Sequence, residues 1–277
     1  MLTDAFVPLL TYPDQTRETS FPALIGLLEA MGTTHVSFCG VEIDVPDLAD
    51  RWGGALVALP QMAAEVERRS SQSAADLLSA ASSSSKRLVA EQLTIRAAFG
   101  DPGAAVAQRA RHHDFTALPI RRGSVDHQAV AEDLLFGSGR PLLIMPDDRE
   151  FSAPLSRVAI AWDGTPTAYR AIHNAISLIA RVRDVVLLSA PQEKAIPQAI
   201  TNGLVGYLVR HGSRAEPIEV TCTEDGLARD LQSAAHNSGA GILVMGGYGH
   251  SRLREFILGG VTEGVLNDPR MPILMSH

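Results

Sequence analysis

Gly241-Ile242-Leu243-Val244-Met245-Gly246-Gly247-Tyr248-Gly249-His250-Ser251-Arg252-Leu253-Arg254-Glu255-Phe256-Ile257-Leu258-Gly259-Gly260 passes from an apolar run to a glycine-rich turn and on to helical periodicity. Residues 241–245 read as a buried strand, and Leu253, Phe256, Ile257, Val261 and Val265 recur at helical spacing. The glycines therefore fall on a strand-to-helix turn, where backbone N–H groups can converge on an anion. Gly246 and Gly249 let a backbone pass close to phosphate, with no Cβ in the way. The competing reading is that the glycines serve only a tight bend.

Working outward, the same alternation fills the second half. Residues 157–162 form a short apolar strand ending at Asp163-Gly164, and Thr165-Pro166 supplies the cap and first-turn proline of a helix through about Val182. Strands follow over 184–189 and 218–222, with a shorter helical region over 196–210 and a helix through Leu227, Leu231 and Ala234. Met271-Pro272-Ile273-Leu274-Met275 closes the series as a fifth strand. Strands and helices in this order predict a parallel, doubly wound sheet.

The first half repeats the series. Its strands fall at 6–10, 35–41, 93–97, 115–120 and 141–145, with helix around Leu24, Leu27 and Leu28, over 50–85, and through Val106. Arg140-Pro141-Leu142-Leu143-Ile144-Met145 echoes Arg270-Met271-Pro272-Ile273-Leu274-Met275, and Leu93 lies as far from Phe115 as Ile218 does from Ala240. Such a unit is too long for a solenoid repeat and predicts duplication of a whole domain. The polar stretch 146–154, with prolines at both ends, reads as the linker, giving domains at 1–146 and 155–277. The copies differ at the turn. The first is six residues shorter there, carries Arg121-Arg122-Gly123-Ser124 in its place, and runs from its first strand into Thr11-Tyr12-Pro13 with no carboxylate where the second has Asp163.

Length and composition bound the function. The 277 residues suit two domains, and a net charge of −7 argues against nucleic acid as a partner. The start lacks the basic segment and apolar core of a signal peptide, and no apolar run reaches the ~20 residues of a membrane span, so a cytoplasmic protein without a membrane partner is expected. Cys39 and Cys222 read as small buried hydrophobes in strand contexts, and no metal-ligand spacing occurs. P-loop, zinc-protease and nucleophile-elbow motifs are all missing, so no catalytic residue is assigned. His112-His113 reads as a favourable helix end, His250, Arg252 and Arg254 as surface, and Ser82 to Ser85 as a fraying helix end.

The pattern Gly246-x2-Gly249-x9-Gly259 resembles the nucleotide-binding signature of universal stress proteins. Val158 to Gly164 and the closing Met271 to Met275 are similar to that family's first and last strands, closely in the second half and in outline in the first. The resemblance implies two tandem α/β domains with five-stranded parallel sheets, of the adenine-nucleotide α-hydrolase-like type, related by a pseudo-twofold axis at their last strands. It implies that Asp163, Gly246, Gly249, Gly259 and Gly260 hold ATP or another adenine nucleotide, with Mg²⁺ only as its companion. Gly260 stands where the family usually has Ser or Thr, so a phosphate-binding hydroxyl is missing there, with Thr262 two residues on. A cytoplasmic stress-response role follows from the resemblance, with little or no turnover, an unspecified protein partner and room for a homodimer. The alternatives are a nucleotide-free interaction or scaffold protein and, weakest, an enzyme of the wider group.

Overall fold

A computed structural model describes residues 2–46, 59–148, 155–247 and 260–277. The first half runs β1 (Asp4–Leu10), α1 (Phe21–Met31), β2 (His35–Asp44), α2 (Leu59–Ser84), β3 (Val89–Ala98), α3 (Gly103–Ala110), β4 (Phe115–Ile120), α4 (Val125–Gly137) and β5 (Leu142–Pro146). The second runs β6 (Val158–Ala161), α5 (Pro166–Asn174), α6 (Ile176–Val182), β7 (Asp184–Ser189), α7 (Gln198–Arg210), β8 (Arg214–Glu219), α8 (Leu227–Asn237), β9 (Ile242–Gly246), α9 (Gly260–Asn267) and β10 (Ile273–Ser276).

All ten strands form one sheet, in the order β3-β2-β1-β4-β5-β10-β9-β6-β7-β8. Pairing within each half is parallel, and the halves join where β5 meets β10 antiparallel, with Leu143 opposite Leu274 and Ile144 opposite Ile273. The expected meeting of the two closing strands is thus observed. Because related strands pair head to tail, a pseudo-twofold axis passes through the junction. Apolar residues on both sides of β4, β5, β9 and β10 explain their continuous hydrophobic runs, since helices cover both faces of the sheet.

Each face has its own core, and each core runs through both halves. One gathers Phe21, Leu24 and Leu28 of α1, Leu77 of α2, Ile172 of α5, Ile179 of α6 and Leu208 of α7. The other gathers Val106 of α3, Leu134 of α4, Leu231 of α8 and Val265 of α9. Across the seam on this second side, Leu135 lies so close to Gly247 that a Cβ there would meet Leu135 Cδ2 at 2.7 Å. Nearby, Gly123 N donates to Asn267 O (2.9 Å), and Asp268 pairs with Arg122 of the first half as well as with Arg229 and Arg270. Burial pushes the Asp268 carboxyl up, but hydrogen bonds from Arg270 and Arg229 and the Arg122 charge outweigh it and hold it below the ordinary range.

Two expectations are corrected. The helix expected from Thr165 to Val182 breaks at Ala175, which is fully buried with φ −86° and ψ 0°; the apolar spacing runs through the break and hides it. The strand expected at 218–222 lies at Arg214–Glu219 instead. β7 ends at Ser189, and after Val220 N donates to Ser189 O (2.7 Å) the alternating residues beyond have no strand to pair with. Cys222 consequently lies past the strand, half-buried, while Cys39 is enclosed in β2. At the start of the expected linker Asp147 is buried and Asp148 pairs with Arg122; residues 149–154 lie outside the described residues. The serine run does end α2, with Ser83 and Ser84 hydroxyls donating to carbonyls four residues back.

No described helix is long and apolar enough to cross a membrane. The continuity of both cores generates a stability prediction. Leu274→Ala at the junction removes a fully buried side chain and is expected to lower stability by about 2–5 kcal/mol. Urea unfolding followed by tryptophan fluorescence and by circular dichroism should still give coincident transitions, because neither half retains a complete core without the other.

Candidate functional site

From β6 the chain moves to β7 and β8 on one side, then returns to β9 and β10 on the other. The crevice at the carboxyl ends of β6 and β9 is therefore a topological switch point, the usual ligand position in an open α/β sheet. A cavity of about 500 Å³ opens there. Ala161, Leu188, Leu227 and Leu231 supply its apolar surface, Asp163 and Thr165 lie beyond β6, and Glu193 and Lys194 lie beyond β7. Met245 and Gly246 of β9, Gly260, Val261 and Thr262 of α9, and Trp162, Thr167 and Ala190 also line it.

Local chemistry fixes Asp163 at this mouth. Its Oδ1 accepts from Thr165 N (3.0 Å) and from the Thr165 hydroxyl (2.6 Å). Thr165 Oγ1 in turn accepts from Ala168 N (3.2 Å), capping α5, with Pro166 preset for the first turn. Gly164 makes the turn between them at φ 73°, a conformation that favours glycine. Asp163 Oδ2 faces Lys194 Nζ at 3.5 Å. Opposite, Gly260, Val261 and Thr262 of α9 line the same cavity.

The structure thus brings Asp163, Gly246 and Gly260 to one cavity. Gly249 and Gly259 lie outside the described residues, as do Tyr248, His250, Arg252 and Arg254 and the helical positions Leu253, Phe256 and Ile257. Gly246 has a structural reason to be glycine that the sequence did not show. A Cβ there would meet Ala168 N at 2.8 Å and Thr167 C at 2.8 Å, so α5 packs its first turn directly on this residue. Its φ is not positive, and close approach, not backbone freedom, selects glycine. Glu193 and Lys194 were missed because nothing in the spacing of 190–194 marks a site; that segment reaches the mouth through the turn in which Glu193 N and Lys194 N both donate to Ala190 O.

The matching crevice in the first half keeps a smaller cavity of about 310 Å³ against the ends of β1 and β2, and the chain's own charges crowd its β4 side. Arg121 Nη1 bonds Asp14 Oδ1 at 2.7 Å, and Arg121 Nη2 donates to Gln15 O at 2.8 Å. His127 Nδ1 accepts from Arg121 N (3.1 Å), and its Nε2–H donates to Asp14 O (2.8 Å), which defines a neutral ring. Behind them sits Asp147, whose side chain has no exposure, with Arg17 at 3.7 Å and Arg121 Nε at 3.8 Å. Burial pushes the Asp147 carboxyl up, against the pull of Arg17 and Arg121.

Other reactive residues carry no site. Burial pushes the Cys39 thiol up to about 12, so it holds its proton at neutral pH. His113 is not the helix-end charge expected. α3 ends at Ala110, and the His113 ring stacks on Phe6 (5.1 Å between centroids) with Nδ1 3.1 Å from Asp4 Oδ2, a packed interior position. Among the described residues no group of three or more His, Cys, Asp or Glu could hold a metal ion.

No protein-family model matches the sequence, and no curated protein does. Solved structures do match the fold. A universal stress protein from Archaeoglobus fulgidus DSM 4304 superposes with a TM-score of 0.68 at 17% identity, over 99% of this chain and 97% of that one. A protein of unknown function from Pseudomonas aeruginosa PAO1 matches with a TM-score of 0.55 at 13% identity, over 99% of this chain and 92% of that one. The α/β architecture anticipated from the sequence is therefore shared with a universal stress protein along nearly the whole of both chains.

Two predictions follow from the packing of these crevices. Gly246→Ala is expected to lower stability by about 1–3 kcal/mol in ligand-free protein, since the clash is with backbone atoms of α5; chemical denaturation measures it. Burial pushes the His127 imidazole below its ordinary 6.5, so the folded state favours the neutral ring. That contribution is complete above pH 6.5 and is lost as pH falls below it, toward the lowered value. The stability advantage of wild type over His127→Gln should shrink between pH 7 and pH 5 in urea titrations.

Proposed function

We propose that this chain is a tandem universal stress protein, with domains at 1–146 and 155–277, whose second domain binds an adenine nucleotide as a regulatory ligand. The observation that carries the reading is that Asp163 and residues Gly260 to Thr262 of α9 line one cavity at the β6–β9 switch point. A carboxylate suits ribose or base donors, and helix N–H groups suit phosphate. The cavity of about 500 Å³ lies in the ordinary range for small-molecule sites. Gly249 and Gly259 belong to the proposed phosphate loop with Gly246 and Gly260. Asp163 and Glu193 are the only acids among the described lining residues, and neither has a partner arrangement that makes it a general base, which favours binding with little or no turnover. A cytoplasmic, stress-related role goes with this reading, as does Mg²⁺ as companion of the nucleotide.

A second reading is a nucleotide-free interaction protein of the same fold. One observation favours it: Gly246 is required by α5 alone, and Asp163 is already engaged by Thr165 and Lys194.

Isothermal titration with ATP, AMP and Mg²⁺ separates the two. Binding is expected, and Asp163→Asn should weaken it by roughly ten- to a hundredfold, the scale of a lost hydrogen bond to a charged group. Absence of both heat and thermal shift at millimolar nucleotide would establish the interaction-protein reading instead.

A further inference from the structure

We infer that Lys194 gates the second-half cavity, holding Asp163 while the site is empty and turning to the phosphate of an incoming ligand, so that the site selects phosphorylated nucleosides over nucleosides. The inference rests on the nucleotide reading of that cavity and adds the residue that sets its ligand class.

The two oxygens of Asp163 have different fates. Oδ1 is committed to Thr165, whose hydroxyl also caps α5, so releasing it would disturb the helix. Oδ2 is the oxygen left for a ligand, and Lys194 Nζ stands 3.5 Å from it. Both side chains are 45% exposed, and a half-exposed pair at this distance is weak and opens readily. A ligand hydroxyl reaching Oδ2 displaces the ammonium.

The displaced ammonium remains beside the cavity. Lys194 starts from a fixed point, since its N–H and that of Glu193 both donate to Ala190 O, and its four-carbon stem can swing from there. Among the described lining residues it is the sole cation, against Asp163 and Glu193. With Lys194 tied to Asp163 no free positive charge of the described lining meets a phosphate; with Lys194 turned inward, a positive charge stands on the wall facing α9. Gly260 offers a phosphate no hydroxyl, so the charge from the opposite wall replaces what that position lacks. Residue choice agrees. Lysine occurs only twice in the chain, at Lys86 and Lys194, and every other cation is arginine. Arg121, Arg122, Arg157 and Arg229 are each held in multiple contacts, whereas among the described residues Lys194 has a single weak partner.

A nucleoside breaks the pair and leaves the ammonium unmatched, while a nucleotide breaks it and supplies a stronger, charge-assisted partner. Removing the amine therefore shifts the two ligands in opposite directions. The test is titration of the full-length protein with adenosine, AMP and ATP, in wild type and in Lys194→Gln, with thermal melts as the folding control. Expected are ATP and AMP weakened by about tenfold or more and adenosine unchanged or tighter, so that the ATP-to-adenosine preference collapses toward roughly one. The salt dependence of ATP binding should also flatten in the variant. Equal weakening of adenosine and ATP, or unchanged ATP affinity, overturns the gate while leaving nucleotide binding intact. No heat from any ligand with the wild type overturns the nucleotide reading and the gate with it.

Discussion

The antiparallel pairing of β5 with β10 is the constraint on which the rest depends. Each half ends on a strand that is apolar on both faces and lies at the edge of its own five strands. Left open, such an edge offers unpaired backbone groups in an apolar setting, which favours uncontrolled strand addition. Joining the two edges satisfies those groups, merges the cores on both faces and brings Leu135 onto Gly247 and Arg122 onto Asp268. Gly247 is itself tied to β10, through its N–H to Ser276 O and its carbonyl to His277, so the start of the glycine turn is braced from the junction side. The cavity at β9 thus inherits its rigidity from a contact made by the opposite half.

The two crevices show what a duplicated site becomes when its copies diverge. In the second half the strand ends enclose space, with one acid and one base in loose contact. In the first, a smaller cavity of about 310 Å³ remains, and the ends of β1 and β4 are bridged by an arginine, two aspartates and a neutral histidine. Arg121 stands where the second copy continues with Gly247, and its guanidinium meets carboxylates from the chain itself. The positive charge that a phosphate would need in this copy is consumed internally. Asymmetry between the halves is therefore chemical as well as one of loop length.

Much of this was legible in the sequence, for identifiable reasons. Strands buried on both faces write continuous apolar runs, which is why β4, β5, β9 and β10 were located closely, and the echo between 140–145 and 270–275 exposed the duplication. The pairing of Asp163 with Gly246 followed from switch-point topology, once β6 and β9 were taken as neighbours. What escaped depends on partners remote along the chain. Arg121 meets Asp14 across 107 positions, and no local pattern announces it. Asp147 looked like a linker residue because charge normally means solvent. The break at Ala175 and the end of β8 were invisible because hydrophobic spacing continues past both. The role of Gly246 was read from its motif, yet the atoms nearest to it belong to α5.

The edges of the finished sheet carry one more implication. β3 and β8 terminate it, and both are largely exposed and polar, with Glu91 and Arg96 on one and Arg214, Glu216 and Pro217 on the other. Charges and a proline make such strands poor templates for further pairing. The apolar edges that could have recruited a second chain face each other inside one molecule. Because that contact lies within one molecule, dilution cannot undo it, and the crevice of about 500 Å³ and that of about 310 Å³ stay in a fixed ratio of one to one.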